Sequence, residues 1–265
     1  MRIAAITKNN LTGHPSRVRL LEGLRSGGKF AVAEIPAGGS VPPDCERVLV
    51  FGGDGTMLDA AVRCARLNIP VMGINLGKLG FLSQFEADAS CEDVTAALLG
   101  GEVEYRMLLE CKSGKGNFLA LNDIVLKSAD ARPVTVGLYV DGRFVDSYRS
   151  DGVITATPTG STAYSLSAGG PILAPNLSAV VVNPVCPHSL HSRPLVVGAE
   201  SSVCLELASA ECANLVVDGQ ITAQLSEQAV IIISRSSLNA PFVKTNGRGF
   251  YEKLLDKMNR WGVTP

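Results

Sequence analysis

Five consecutive residues, Gly52-Gly53-Asp54-Gly55-Thr56, carry the clearest chemistry in the chain. Three glycines around one carboxylate leave backbone N–H groups open to a polyanion, with no Cβ in the way. The carboxylate then sits where a phosphate-accepting hydroxyl can also sit, within reach of its proton. The chemistry is phosphoryl transfer, with Asp54 as base and Gly52, Gly53, Gly55 and Thr56 at the phosphates. The plainer alternative is a glycine turn whose acid caps the next helix.

Two other stretches hold polar groups in unusual places. Asn122-Asp123 interrupts an apolar run, with Leu119-Ala120-Leu121 before it and Ile124-Val125-Leu126 after it. Burying unpaired polar groups costs about 1–3 kcal/mol each, so the pair marks either a strand end or bulge, or groups presented to ligand hydroxyls. Residues 157–171 are crowded with hydroxyls and small side chains around one aromatic, Tyr164. Small residues permit close approach to a planar ligand, hydroxyls pair with ribose or phosphate oxygens, and a tyrosine packs on a base. A serine-rich turn over a buried tyrosine fits the same residues.

Other site chemistries are excluded by spacing. Gly73-Ile74-Asn75-Leu76-Gly77-Lys78-Leu79 has one residue too few between its glycines for a P-loop, and Leu79 has no metal-binding hydroxyl. No G-x-G-x-x-G follows the first strand, which disfavours a dinucleotide dehydrogenase, and no G-x-S-x-G elbow supports a hydrolase. His14, His188 and His191 do not form a metal-ligand set. His188 and Arg193 are expected to shape a loop or a subunit interface.

Strand and helix signals alternate over the first hundred residues. Strands are expected at 3–6, 30–35, 47–51 and 70–74, and helices at 17–24, 56–67 and 91–99, the last capped by Ser90. Alternation of this kind predicts an α/β domain with a mainly parallel sheet, residues 1–100. From 101 to 240 short β-rich runs dominate, at 105–111, 118–127, 135–140, 152–155, 179–182, 203–207, 214–217 and 229–234. Asp141-Gly142 and Asp218-Gly219 read as hairpin turns. This second domain is expected to be all-β and sandwich-like. A C-terminal helix over 251–260 is expected to return, with residues 241–265, to the first domain. It would turn Leu254, Leu255 and Met258 to one face and leave Glu252, Lys253, Asp256, Lys257 and Arg260 as a solvated face.

Composition narrows the partners. Apolar residues make up 46% and charged residues 18% of the 265, so a folded globular chain is expected. Twenty-four basic residues against 25 acidic ones give a net charge of −1, with no basic stripe for nucleic acid and no polybasic segment for a membrane surface. Apolar runs are strand-length, so no membrane span is expected, and Met1–Ile6 reads as a first strand, too short an apolar stretch for a signal peptide. Seven cysteines without a C-x-x-C pair point to small core residues in a reducing compartment, the cytoplasm.

The motifs also occur in a telling order. Gly52-Gly53-Asp54-Gly55-Thr56, Asn122-Asp123, Asp151-Gly152 with 157–171, Pro187-His188-Ser189-Leu190 with Arg193-Pro194, and Asp218-Gly219-Gln220 follow one another over residues 47–220. The series resembles the NAD kinases. The glycine motif alone also resembles lipid kinases and 6-phosphofructokinases, whereas the 157–171 segment is specific. Asp123 stands where many members have Glu, which keeps the carboxylate.

The resemblance implies ATP-dependent phosphorylation of the adenosine-ribose 2′-hydroxyl of NAD, giving NADP and ADP, in a homodimer or homotetramer. Carried over by position, Asp54 is the proton acceptor and Gly55 touches NAD. Asn122 and Asp123 hold ribose hydroxyls. Arg149 and Asp151 border the nicotinamide or a neighbouring subunit. Thr162, Ala163, Tyr164, Ser165, Leu166 and Ser167 line the dinucleotide, with Tyr164 against adenine; Gln220 and Arg132 are further NAD-binding candidates. Mg²⁺ or another divalent cation is expected to arrive with ATP, since the sequence offers no dedicated metal cage. Two rival functions remain at this stage. One is another kinase of the wider group, acting on a lipid or sugar phosphate. The other is a non-catalytic NAD(P)(H) sensor, which would have no need of the base.

Overall fold

A computed structural model describes residues 1–77, 80–189, 191–208, 212–226, 228–245 and 249–261. The chain divides into two compact units, residues 1–105 with 240–265, and residues 106–239.

The first unit is built from β1 (Arg2–Thr7), α1 (Pro15–Ser26), β2 (Ala31–Pro36), β3 (Arg47–Gly52), α2 (Asp54–Ala65), β4 (Val71–Asn75), β5 (Phe85–Glu86) and α3 (Cys91–Gly100). β1, β2, β3, β4 and β5 pair in parallel, in the order β2-β1-β3-β4-β5. Helices cover such sheets, so their strands are buried apolar runs. In β3 and β4 all ten residues from Val48 to Gly52 and from Val71 to Asn75 are buried. The core gathers Ile3, Leu20, Leu49, Phe51, Met72, Ile74 and Leu98. Ser90 caps α3 as expected, its hydroxyl accepting from the Asp93 N–H at 3.0 Å.

The second unit holds β6 (Val103–Ser113, from Arg106 onward), β7 (Gly116–Ala120), β8 (Asp123–Ser128), β9 (Val134–Val140), β10 (Arg143–Ser150), β11 (Gly152–Ala156), the single-turn α4 (Tyr164–Ser167), β12 (Ala179–Val185), β13 (Leu195–Gly198), β14 (Val203–Leu207), β15 (Ala213–Val217), β16 (Gln220–Leu225) and most of β17 (Val230–Val243). One antiparallel sheet runs β10-β9-β14-β17, the other β13-β12-β11-β8-β15-β16. Leu126, Leu138, Val153, Val182, Leu205, Leu215 and Ile231 share one core, as in a sandwich. Val125, Ile154 and Val181 point to the opposite face of the second sheet and pack with Leu173. Both expected hairpin turns are present, with φ of 50° and 75° at Asp141-Gly142 and 47° and 80° at Asp218-Gly219.

Two sequence expectations change. Residues 118–127 are two strands, β7 and β8, parted at Leu121 and Asn122. β5, a two-residue strand, was not expected, nor were β10, β13 and β16, which lie at sheet edges. An edge strand is buried on fewer sides, so β10 and β16 mix polar and apolar residues and β13 keeps only the short run Leu195-Val196-Val197.

α5 (Phe250–Trp261) and the last residues of β17 belong to the first unit, and Phe242 pairs with Val71 of β4. The helix turns a different face inward from the one expected. Phe250, Lys253, Leu254 and Lys257 are half-buried, while Leu255 and Met258 are 60% and 51% exposed. The side chain of Arg260 lies outside the described residues, as do Lys78, Leu79 and Leu190. No described helix is long and apolar enough to cross a membrane.

Candidate functional site

β3 delivers its glycine turn at the carboxyl edge of a parallel sheet, where open α/β sheets bind ligands. Gly53 is the N-cap of α2 in an extended conformation, and no side chain caps the helix amides. A Cβ on Gly52 would meet Thr56 Oγ1 at 2.7 Å, whereas a Cβ on Gly53 or Gly55 would enter open space. Packing therefore explains the first glycine alone. The other two leave the helix N-terminus bare, which is what an approaching phosphate needs.

Asp54 is the first residue of α2, and its carboxylate does not cap that helix. The N–H of Phe81 donates to Oδ2 at 3.0 Å and the N–H of Leu82 donates to Oδ1 at 3.1 Å. Both donors come from the segment after β4. A Cβ on Gly80 would lie 2.1 Å from Asp54 Oδ1, so only glycine lets this segment close on the acid. Nearby, Asn75 at the end of β4 is buried, donates to Glu86 Oε2 at 3.0 Å and accepts from the Gly77 N–H at 3.2 Å.

The second unit holds a pair of acids. Asp218, at the β15–β16 turn, accepts from the N–H groups of Leu121 at 2.8 Å, Asn122 at 2.7 Å and Asp123 at 3.1 Å. Its own N–H returns to the Asp123 carbonyl at 3.0 Å. These bonds part β7 from β8 and set the conformation at Asn122-Asp123. Asp123 is 4% exposed, and no described group hydrogen-bonds its carboxylate. Burial, and then the charge of Asp218, pushes its pKa up to about 7. Burial also raises the pKa of Asp218, offset by the three N–H donors. Asp218 is thus the acid held by the local N–H groups, and Asp123 the one left to bind something else.

Residues 157–171 sort their hydroxyls by burial. Thr157 Oγ1 donates to the Leu121 carbonyl at 2.5 Å and accepts from the Gly160 N–H at 3.0 Å, while its own N–H donates to the Asn122 carbonyl at 2.9 Å. Ser161 accepts from the Leu173 N–H at 2.9 Å. Asn183 Nδ2 donates to the carbonyls of Ser165 at 3.0 Å and Ala168 at 3.3 Å. Thr157, Ser161 and Ser165 are fully buried, so these side chains build the loop. Tyr164 and Ser167 are exposed, and Thr162, Ala163 and Leu166 half-buried. Burial raises the Tyr164 phenol pKa, with smaller contributions from Cys186, Asp151 and Asp123, which sets these four residues in one neighbourhood.

Comparison with known proteins gives the family. Residues 38–103 match the ATP-NAD kinase N-terminal domain, and residues 121–245 match the ATP-NAD kinase C-terminal domain. The chain belongs to the NAD kinase family. The NAD kinase of Carboxydothermus hydrogenoformans is 41% identical over 243 residues, 87% of this chain and 85% of that protein. That of Desulforamulus reducens is 40% identical over 225 residues, 82% and 78% of the two chains. Among solved structures, an NAD kinase from Archaeoglobus fulgidus in complex with ATP matches with a TM-score of 0.80 at 28% identity, covering 100% of both chains. Yeast NADH kinase complexed with NADH matches with a TM-score of 0.84 at 25% identity, covering 100% of this chain and 88% of that one.

The remaining family positions are scattered by comparison. Asp151 and Arg149 are exposed at the β10–β11 junction, and the Arg149 carbonyl accepts from the His188 N–H at 2.8 Å. Gln220 is exposed at the start of β16, and Arg132 is exposed in the β8–β9 loop. Sequence reasoning missed Gly80, Phe81, Leu82 and Asn183, and took Asp218 as a turn residue and a member of the motif series, with no role for its carboxylate. Asp218 left two signals, an acid in an Asp-Gly turn and a place in the motif order. The other four left none, because their partners are far away in sequence.

Proposed function

We propose that this chain is an NAD kinase that transfers the γ-phosphoryl group of ATP to the adenosine-ribose 2′-hydroxyl of NAD, with Asp54 accepting the hydroxyl proton. The observation that carries the reading is the Asp54 carboxylate, held by the Phe81 and Leu82 N–H groups beside an uncapped helix N-terminus. A base held on both oxygens keeps its orientation as the P–O bond forms. Phosphoryl transfer otherwise depends on alignment and charge neutralisation. The amides at Gly53 and Gly55, with Gly52 and Thr56 shaping the turn, would hold the phosphates.

Asp123 and Asn122 would take ribose hydroxyls, and Tyr164 with Thr162, Ala163, Leu166 and Ser167 would meet the dinucleotide. Ser165 would contribute through the loop it stabilises. Arg132, Arg149, Asp151 and Gln220 stand as further NAD-binding candidates on the family positions alone. Among the described residues no group of three or more His, Cys, Asp or Glu side chains can hold a metal ion. Mg²⁺ would therefore reach the site with ATP, where it shields the triphosphate charge. Exposed Phe144, Val145, Val196 and Ile221 on edge strands support a homodimer or homotetramer. Seven free cysteines suit a reducing compartment, and we propose the cytoplasm.

The test is NADP formation from NAD, ATP and Mg²⁺ by purified protein, run beside a folded Asp54→Asn variant. NADP formation by the parent and its loss in the variant support the reading. Binding of NAD without product would favour a sensor, and no binding at all would favour another phosphoryl acceptor.

A further inference from the structure

The inward face of α5 is chemically odd. Amphipathic helices normally bury the apolar stripe and expose the charges. Here Tyr251, Leu255 and Met258 are 67%, 60% and 51% exposed, while Lys253 and Lys257 turn inward with Phe250 and Leu254. Both lysines end on one short segment. Lys253 Nζ donates to the Ser83 carbonyl at 2.7 Å. Lys257 Nζ stands 3.8 Å from the centre of the Phe81 ring, within cation–π range. The Phe250 ring lies 6.3 Å from the same ring, tilted by 34°.

That segment is the one that holds Asp54. Phe81 and Leu82 give their N–H groups to the two carboxylate oxygens, and Ser83 follows directly. α5 therefore grips the side chain of the first donor and the carbonyl just beyond the second. Burial lowers the pKa of Lys257, partly offset by the charge of Asp54, which puts the ammonium within electrostatic reach of the acid.

We propose that Lys253 and Lys257 are positioning residues for the phosphoryl-transfer base, clamping residues 81–83 so that both N–H groups stay on the Asp54 carboxylate. The inference rests on Asp54 being the base. It explains why the helix spends its inner face on ammonium groups: an apolar contact would dock the helix, but it has no donor for the Ser83 carbonyl. Small misplacement of a reacting group costs roughly 10- to 100-fold in rate, so the loss should appear in turnover.

The experiment uses the full chain with Lys253→Met, Lys257→Met and the double variant, since Met keeps the length and stem packing of Lys. Lys257→Arg keeps the cation over the ring. The expected result is a kcat roughly tenfold lower in each single variant, larger in the double variant, with KM for NAD and ATP within about twofold of the parent. Lys257→Arg should recover most of the loss. Hydrogen exchange of the peptide covering residues 80–84 should accelerate in the Met variants, because its amides are the Asp54 donors. Parent-like kcat in the folded double variant, or unchanged exchange in that peptide, would overturn the proposal. A kcat loss that travels with raised KM and is not restored by Arg would do the same. The exchange measurement needs no turnover, so the clamp is judged separately from the role of Asp54, which Asp54→Asn tests in parallel.

Discussion

In the first unit, the Asp54 carboxylate is half-buried and takes one backbone N–H on each oxygen. In the second, Asp123 is 4% exposed beside another acid, Asp218, which accepts the three local N–H groups. One carboxylate is oriented by backbone donors, the other buried beside a second acid and pushed up in pKa to about 7. The difference separates two kinds of work. A base needs a fixed direction and access to the reacting proton. A group that recognises hydroxyls gains from keeping its oxygens free of local donors, so that the ligand supplies the hydrogen bonds.

The strongest challenge to this contrast is Asp54→Asn. It should lower kcat by about 100- to 10,000-fold with little change in KM for NAD, measured by steady-state NADP formation. Parent-like turnover would move Asp54 to the binding side of the comparison. Next comes Gly80→Ala, whose Cβ would press into Asp54 Oδ1. We expect a fall in kcat of roughly tenfold and a loss of about 1–3 kcal/mol of stability, read from urea unfolding. In the second unit, Asp218→Ala would leave the N–H groups of Leu121, Asn122 and Asp123 without their acceptor. Unfolding should become easier by about 3 kcal/mol, and KM for NAD should rise far more than kcat falls.

The contrast also reaches into pH dependence. The pKa of Asp123 is raised from 3.8 to about 7 in the folded chain, so the native state holds a proton that the unfolded state has lost. Its contribution to stability is full below about pH 4 and is lost as pH rises to about 7. Asp123→Asn should flatten that window in denaturation measured across pH. Ionisation also turns Asp123 into a pure acceptor, so KM for NAD should fall as pH rises through about 7 in the parent and stay level in Asp123→Asn.

How much of this was legible depended on the range of the interaction. β3, β4 and β11 are buried on both faces and announced themselves as apolar runs. β10 and β16 lie at sheet edges, carry polar residues between apolar ones, and left no such run; β13, also at an edge, offers only the short run Leu195-Val196-Val197. The Asp141-Gly142 and Asp218-Gly219 turns were legible because positive φ favours those residue types. α5 was legible as a helix and misread as a surface. Periodicity reports which residues share a face; it does not report what the neighbouring element offers that face, here a carbonyl and an aromatic ring.

The sequence by itself determined the chemistry: a glycine turn with one acid after a buried strand, a polar pair inside an apolar run, and a hydroxyl-rich segment, in an order shared with one kinase family. All of these are local, written in residue types and short spacings. The tertiary structure alone decided which acid is held and which is starved. Asp54 gains its donors from 27 and 28 residues away, and Asn122 and Asp123 lose theirs to an acid 96 and 95 residues away. Backbone N–H groups are the same in every residue but proline, so no pattern of side chains announces which carboxylate they will meet.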